Sequence, residues 1–259
     1  MYKKGFTLAE VLITLGVIGV VAAMTLPSLI QNYQKTVLVN QLKKSVSVVE
    51  QGFKLAMADD EVLELDNTQL MQSLGNSNIM SDETKFNNFI TEFKKYFKVI
   101  SAEQSYAPTI DYKILDGNSM NDVEGDYSKI ILSDGSILYF SYGFKGQPDK
   151  KSQTECEQIK QLGGSICALY TSGEIEIDVN GNKGLNQYGR DRFRFWLGNN
   201  GILYPASGKD YALFHFQEDL SANWAYWKSD DFACNSKASQ NIGYGCAARI
   251  MENGWKMDY

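Results

Sequence analysis

Residues 1–26 read Met1-Tyr2-Lys3-Lys4-Gly5-Phe6-Thr7-Leu8-Ala9-Glu10-Val11-Leu12-Ile13-Thr14-Leu15-Gly16-Val17-Ile18-Gly19-Val20-Val21-Ala22-Ala23-Met24-Thr25-Leu26. A basic start runs straight into an apolar stretch that continues to Ile30. As a helix, that run of about 25 residues is roughly 37 Å long, against a bilayer hydrocarbon core about 30 Å thick. It predicts a membrane-spanning helix. After Lys3 and Lys4 no positive charge occurs until Lys35. The positive-inside rule therefore keeps the short N-terminus in the cytoplasm and sends the rest of the chain outward.

Glu10 does not suit a plain anchor, because a carboxylate one turn inside an apolar helix costs about 2.5–3.5 kcal/mol or more. In an ordinary signal-anchor it would snorkel to the headgroups from near the helix start. Its flanks point elsewhere. Lys3-Lys4-Gly5-Phe6-Thr7-Leu8-Ala9-Glu10 resembles the class III leader and processing site of type IV prepilins and type II secretion pseudopilins. The shared features are a short basic leader, Gly before the cut, Phe after it, and Glu as the fifth residue of the mature chain. Gly16, Gly19 and Pro27 resemble the helix-softening positions of pilin stalks. The resemblance covers residues 1–30 and says little about the remainder.

The resemblance implies that prepilin peptidase cuts between Gly5 and Phe6 on the cytoplasmic side and methylates the new Phe6 amine. It also implies that the subunit leaves membrane lipid for a pilus or pseudopilus of other pilin subunits, built at an inner-membrane assembly platform. Cleavage puts a cation on Phe6 and leaves Glu10 as an anion in apolar surroundings. The expected contact is Glu10 of one subunit with the Phe6 amine of a neighbour, which offsets the cost of a lone buried charge. A competing cut after Val21-Ala22-Ala23, by signal peptidase I, would release a protein starting at Met24. An acid inside the apolar region and an unexplained Gly5-Phe6 junction weigh against it.

Beyond Pro27, Leu42, Val46, Val49, Phe53 and Met57 recur at helical spacing, one face of an amphipathic helix. The chain is expected to hold one helix from about Phe6 to Ala58, bent near Pro27, over a head at 59–259. This divides it into a leader (1–5), a membrane or filament-core half-helix (6–30), an amphipathic half-helix (31–58) and the head. A short helix is expected near Thr68–Leu74. A stronger one is expected over Asp82–Lys98, with Ser81 as N-cap and Phe86, Phe89, Ile90, Phe93 and Phe97 on its apolar face.

After Tyr106 the period changes to two. Ile130–Leu132 with Ile137–Phe140, Cys167–Tyr170 with Glu174–Val179, and Phe193–Leu197 with Ile202–Tyr204 each flank a turn. Three hairpins predict an antiparallel meander laid on the amphipathic helix, an α+β fold of pilin type. The tail from Trp224 to Tyr259 is expected to form a stapled flap over the sheet edge.

The four cysteines fall in two local pairs, Cys156 with Cys167 and Cys234 with Cys246. Four cysteines permit three connectivities, and neighbour pairing is the simplest for an exported chain. Reduced thiols in a cytosolic core are the alternative. The spacings are not those of a zinc site.

The 259 residues carry 25 Lys and Arg against 31 Asp and Glu, a net charge of −6, the wrong sign for a generic grip on nucleic acid. The Phe-rich segment at 82–98 is accordingly read as core, not as a base-stacking platform.

Asp178, Asn180, Asn182 and Asn186 place oxygens at the first, third, fifth and ninth positions of Asp178-Val179-Asn180-Gly181-Asn182-Lys183-Gly184-Leu185-Asn186-Gln187-Tyr188-Gly189-Arg190-Asp191, a spacing similar to the start of a calcium loop, with Asp191 as a substitute for its closing acid. Lys183 replaces the turn glycine and Gly189 the bidentate acid of that pattern. The plainer reading is a hairpin turn in which the Asn side chains cap backbone.

No enzyme is expected. His215 is the one histidine, expected in a strand with an ordinary hydrogen bond, and no nucleophile elbow or phosphate-cradling loop occurs. Two readings of function remain: a structural subunit assembled through the stalk, and a minor tip subunit whose head binds a glycan or protein.

Overall fold

A computed structural model describes residues 7–106, 112–118, 127–141, 143–171, 174–181, 183–218, 220, 226–228, 234 and 243–259. The chain divides into two compact units, 1–37 and Leu38–Tyr259. Helix α1 covers Leu8–Asp59, with Pro27 inside it.

In the first unit this helix is long and apolar enough to cross a membrane. Leu12, Ile13, Val17 and Ile18 are each about 60 % exposed and lie on different sides of the helix, so the surface is apolar all round. Thr14, Thr25 and Ser28 turn their hydroxyls back onto the carbonyls of Val11, Val21 and Thr25, which removes free polar groups from that surface.

In the second unit the helix becomes one-sided. Val39, Leu42, Val46, Val49, Phe53 and Ala56 are buried. A 3-10 turn, Leu65–Asn67, and the short helix α2, Gln69–Gln72, lead into α3, Glu83–Tyr96. The cap of α3 is Asp82, not Ser81: the Asp82 backbone is extended and its carboxylate accepts from Lys85 N–H at 3.1 Å. Phe86, Phe89, Ile90 and Phe93 of α3 fill the core beside α1. Gly52 lets α1 pass against the Phe97 ring, which any Cβ at that position would strike.

The strands are β1 Val99–Tyr106, β2 Tyr127–Leu132, β3 Ile137–Ser141, β4 Asp149–Lys150, β5 Ala168–Leu169, β6 Ile175–Asp178, β7 Arg192–Leu197 and β8 Leu203–Pro205. Six form a sheet in the order β1-β2-β3-β6-β7-β8, antiparallel throughout, and β4 pairs with β5 apart from it. The inner face presents Ile130, Leu132, Leu138, Phe140, Ile175, Ile177, Phe193 and Phe195 to the α1 core. Each such side chain contributes about 1.5–3 kcal/mol when fully buried. Two polar ties reinforce the packing: Lys44 pairs with Asp134 at 2.9 Å, and Glu50 accepts the Leu203 N–H at 3.0 Å. The α+β architecture, a long helix with an antiparallel sheet and added helices, is the one the sequence predicts.

Several local expectations need correction. The sheet begins at Val99, upstream of the change in period. The 130–140 and 193–204 hairpins form, but Cys167–Tyr170 does not pair with Glu174–Val179. Leu169 pairs with Asp149, while β6 inserts between β3 and β7. All four β6 residues are buried, which suits an interior strand and not one arm of a surface hairpin. Helix α4, Gln153–Gln161, closes its start with a Ser152/Glu155 capping box, and Lys209–Phe216 is helix α5 and not a strand. The tail is more than a flap. Its helix α6, Cys246–Glu252, packs on β7 and sends Ala247 and Ile250 into the main core.

Candidate assembly site and the polar layer of the head

α1 starts at Leu8, and the Thr7 carbonyl accepts the first helical bond, from Val11 N–H. The Thr7 N–H donates to Glu10 Oε2 at 2.8 Å and its hydroxyl donates to the same oxygen at 2.9 Å. In return Glu10 N–H donates to Thr7 Oγ1 at 3.3 Å. This is a capping box, which satisfies donors that a helix start otherwise leaves open. The signal was present in the sequence as Thr7-Leu8-Ala9-Glu10. Gly5 and Phe6 lie outside the described residues.

The loop from Asp178 to Asp191 is folded as a self-capped turn. Asp178 Oδ1 accepts Asn180 N–H at 3.1 Å and Oδ2 accepts the Tyr112 hydroxyl at 2.8 Å. Asp191 Oδ1 accepts Gln187 N–H at 2.5 Å and Oδ2 accepts Asn186 N–H at 2.8 Å. Asp178 and Asp191 are both buried, and the Asp191 carbonyl accepts the Val179 N–H at 2.8 Å, which brings the two residues close together. Burial, and then the neighbouring Asp191, pushes the Asp178 carboxyl up to about 7, and burial likewise raises Asp191. Two oxygens, Asn180 Oδ1 and Asn186 Oδ1, are buried without a partner, and Asn182 lies outside the described residues. Among the described residues no group of three or more His, Cys, Asp or Glu side chains is placed to hold a metal. A hard cation would gain the two Asn oxygens, but every carboxylate oxygen already takes an internal donor.

The outer face of the sheet carries a feature that sequence reading missed. Strand register sets Lys129, Tyr139, Glu176 and Arg194 in one cross-strand row, with Ile131, Ile137, Asp178 and Arg192 in the next. Arg192 Nε donates to Glu176 Oε2 at 2.6 Å, and Tyr188 donates to the same oxygen at 2.8 Å. Arg194 bridges Glu176 at 2.9 Å and Glu174 at 3.1 Å. The Arg192 guanidinium lies 4.2–4.8 Å from the Tyr112, Tyr139 and Tyr188 ring centres, and that of Arg194 3.4 Å from Tyr244. Burial alone would raise the Glu176 carboxyl, but Arg192 and Arg194 outweigh it and hold Glu176 below its usual range. The available signal was the alternation Glu174-Ile175-Glu176-Ile177-Asp178 against Arg192-Phe193-Arg194, charged on one face and apolar on the other.

His215 sits in α5, its ring 4.4 Å from Tyr211 and 6.2 Å from Trp196. Its Nε2 is buried without a partner, in place of the ordinary strand hydrogen bond expected. Burial, then the charge of Lys151, lowers its pKa to about 4. Disulfides join Cys156 of α4 to Cys167, and Cys234 to Cys246 at the start of α6.

Comparison with known proteins divides the chain near residue 27. Residues 1–26 match the prokaryotic N-terminal methylation motif, the prepilin leader signature of type IV pilins and pseudopilins. No curated protein and no solved structure matches the chain. Residues 28–259 match the model of a family of unknown function, DUF6613. A prepilin-type leader thus precedes a disulfide-bonded α+β head, and the chain belongs to the DUF6613 family.

Proposed function

We propose that the chain is a structural, non-catalytic subunit of a type IV pilus or a type II secretion pseudopilus. The leader motif at residues 1–26, which places Glu10 in the first turn of α1, carries this reading. In it, prepilin peptidase cuts after Gly5 and methylates Phe6 while α1 sits in the inner membrane with the head outside the cytoplasm. The stalk then moves from lipid into a filament of like subunits, and Glu10 pairs with the Phe6 amine of a neighbour. An apolar helix surface on all sides supports that move, because lipid and packed stalks are both apolar surroundings for it. The test is mass spectrometry of sheared filaments. An N-terminal peptide beginning at methylated Phe6 is expected, and Glu10→Ala is expected to abolish incorporation while the head stays folded. A mature chain starting anywhere else defeats the reading.

A second reading, a minor tip subunit whose head binds a glycan or protein, is favoured by a cleft of about 290 Å³ beside the Cys156–Cys167 staple, lined in part by Leu63, Glu64, Lys160, Ile166 and Asn200. Low copy number, and adhesion lost in Lys160→Ala with filament number unchanged, would support it. Stoichiometric abundance along the fibre would exclude it.

A further inference from the structure

We infer that Lys150 and Asn199 are the site of a covalent cross-link, an amide between the Lys150 amine and the Asn199 side-chain carbonyl carbon, formed with Asp66 as general base. The inference concerns the head alone and is independent of the assembly reading. Asp66 touches both reacting groups: Lys150 Nζ donates to its Oδ2 at 2.9 Å, and Asn199 Nδ2 donates to its Oδ1 at 3.1 Å. One carboxylate thus grips the amine and the amide at once. The Asn199 carbonyl is polarised as well, because its Oδ1 accepts the Asp66 N–H at 2.9 Å and the Tyr170 hydroxyl at 3.4 Å. Asn199 and Tyr170 are buried, while half-exposed Lys150 comes in from the surface.

Main-chain contacts hold the three side chains together. Lys150 of β4 pairs with Ala168 of β5, whose carbonyl accepts the Asn199 N–H at 3.1 Å. The Asn199 carbonyl in turn accepts the Leu65 N–H at 2.7 Å, which fixes the turn that carries Asp66. The step needs no co-reactant. Asp66 takes a proton from the Lys150 ammonium, the freed lone pair attacks Asn199 Cγ, and the Cγ–Nδ2 bond breaks. The two protons that Lys150 gives up pass through Asp66 to the departing nitrogen, which leaves as ammonium while a secondary amide remains. The cleft beside the Cys156–Cys167 staple, which Asn199 lines, gives the ammonium a way out. Hydrogen bonds to Glu64 and Asp66 raise the Lys150 pKa, so the free amine is scarce and the bond forms slowly, after folding.

The experiment uses the full-length chain, purified in detergent, incubated at mildly alkaline pH and reduced to open both disulfides. Intact mass is expected to fall short of the sequence by one ammonia, and tandem mass spectrometry of a digest is expected to show a branched peptide joining Lys150 to Asn199. A cyclic imide at Asn180-Gly181 or Asn200-Gly201 would also lose ammonia, so a variant supplies the control. Lys150→Arg keeps the cation and removes the amine, and is expected to keep its full mass. Asp66→Asn, which removes the base, is expected to stay unlinked. Wild type at full mass after incubation, or Lys150→Arg as light as wild type, would overturn the inference, and Asp66→Asn linking as completely as wild type would overturn the role given to Asp66.

Discussion

Arg192 and Glu176 meet inside the head with Nε 2.6 Å from Oε2 and neither side chain exposed. Each charge depends on the other, since losing one partner of a buried pair leaves an uncompensated charge. Glu176→Ala or Arg192→Ala should therefore each cost about 3–5 kcal/mol, read as a lower denaturant midpoint of the full-length protein in detergent. Replacing both residues by Met should cost less than either single change, because neither charge of the pair is then left alone and Arg194 keeps Glu174 as its partner. Single variants as stable as wild type would mean that water reaches the pair.

Gly189 lies at φ +78°, and a Cβ there would sit 2.5 Å from the Cys246 sulfur. Gly189→Ala should lower stability by about 1–3 kcal/mol through the left-handed backbone alone, and by more if the contact with α6 opens. Disulfide mapping of the variant provides the second readout: a free thiol at Cys234 or Cys246 would show that the close approach helps form the bond.

Calcium binding in the 178–191 loop is a proposal that the orphan oxygens of Asn180 and Asn186 support and the internal hydrogen bonds of Asp178 and Asp191 oppose. We expect millimolar calcium to leave the melting temperature unchanged, because a cation would have to displace those donors. A rise in wild type that Asp178→Ala abolishes would assign the loop as a cation site.

His215, the one histidine in the chain, offers a resolved probe of pH. In the folded head its pKa lies at about 4, below the ordinary value of 6.5 for the unfolded chain. The unfolded state then takes up a proton first, so the His215 contribution to stability is complete above pH 6.5 and fades as pH falls toward 4. His215→Phe should flatten the fall of melting temperature with pH between 6.5 and about 4. An imidazole NMR titration with a midpoint near the unfolded value would show that the ring is solvated.

The readings that succeeded from sequence were those in which local pattern and surroundings agree. The 1–26 stretch reads as a prepilin-type leader running into an apolar helix because length, basic flank and Glu10 are chemical facts independent of how the head folds. The helical stripe through Val46, Val49 and Phe53 and the turn at Ser133-Asp134-Gly135-Ser136 are equally local, and both form. The Leu213-Phe214-His215-Phe216 stretch misled because a short apolar run has no period of its own. It is helical because α5 buries Leu213 and Phe214 against Ile159 and Tyr204.

By itself, then, the sequence determined the prepilin-type leader signature, the long apolar N-terminal helix and the α+β class. Only the tertiary structure decided that β6 lies between β3 and β7, since strand order depends on which faces can be buried together. That choice lines Glu174, Glu176 and Asp178 up against Arg192 and Arg194 and places the Tyr112, Tyr139 and Tyr188 rings around them. The local alternation marks a charged face but does not choose its partners, because they lie up to 80 residues apart and meet only when the strands pair.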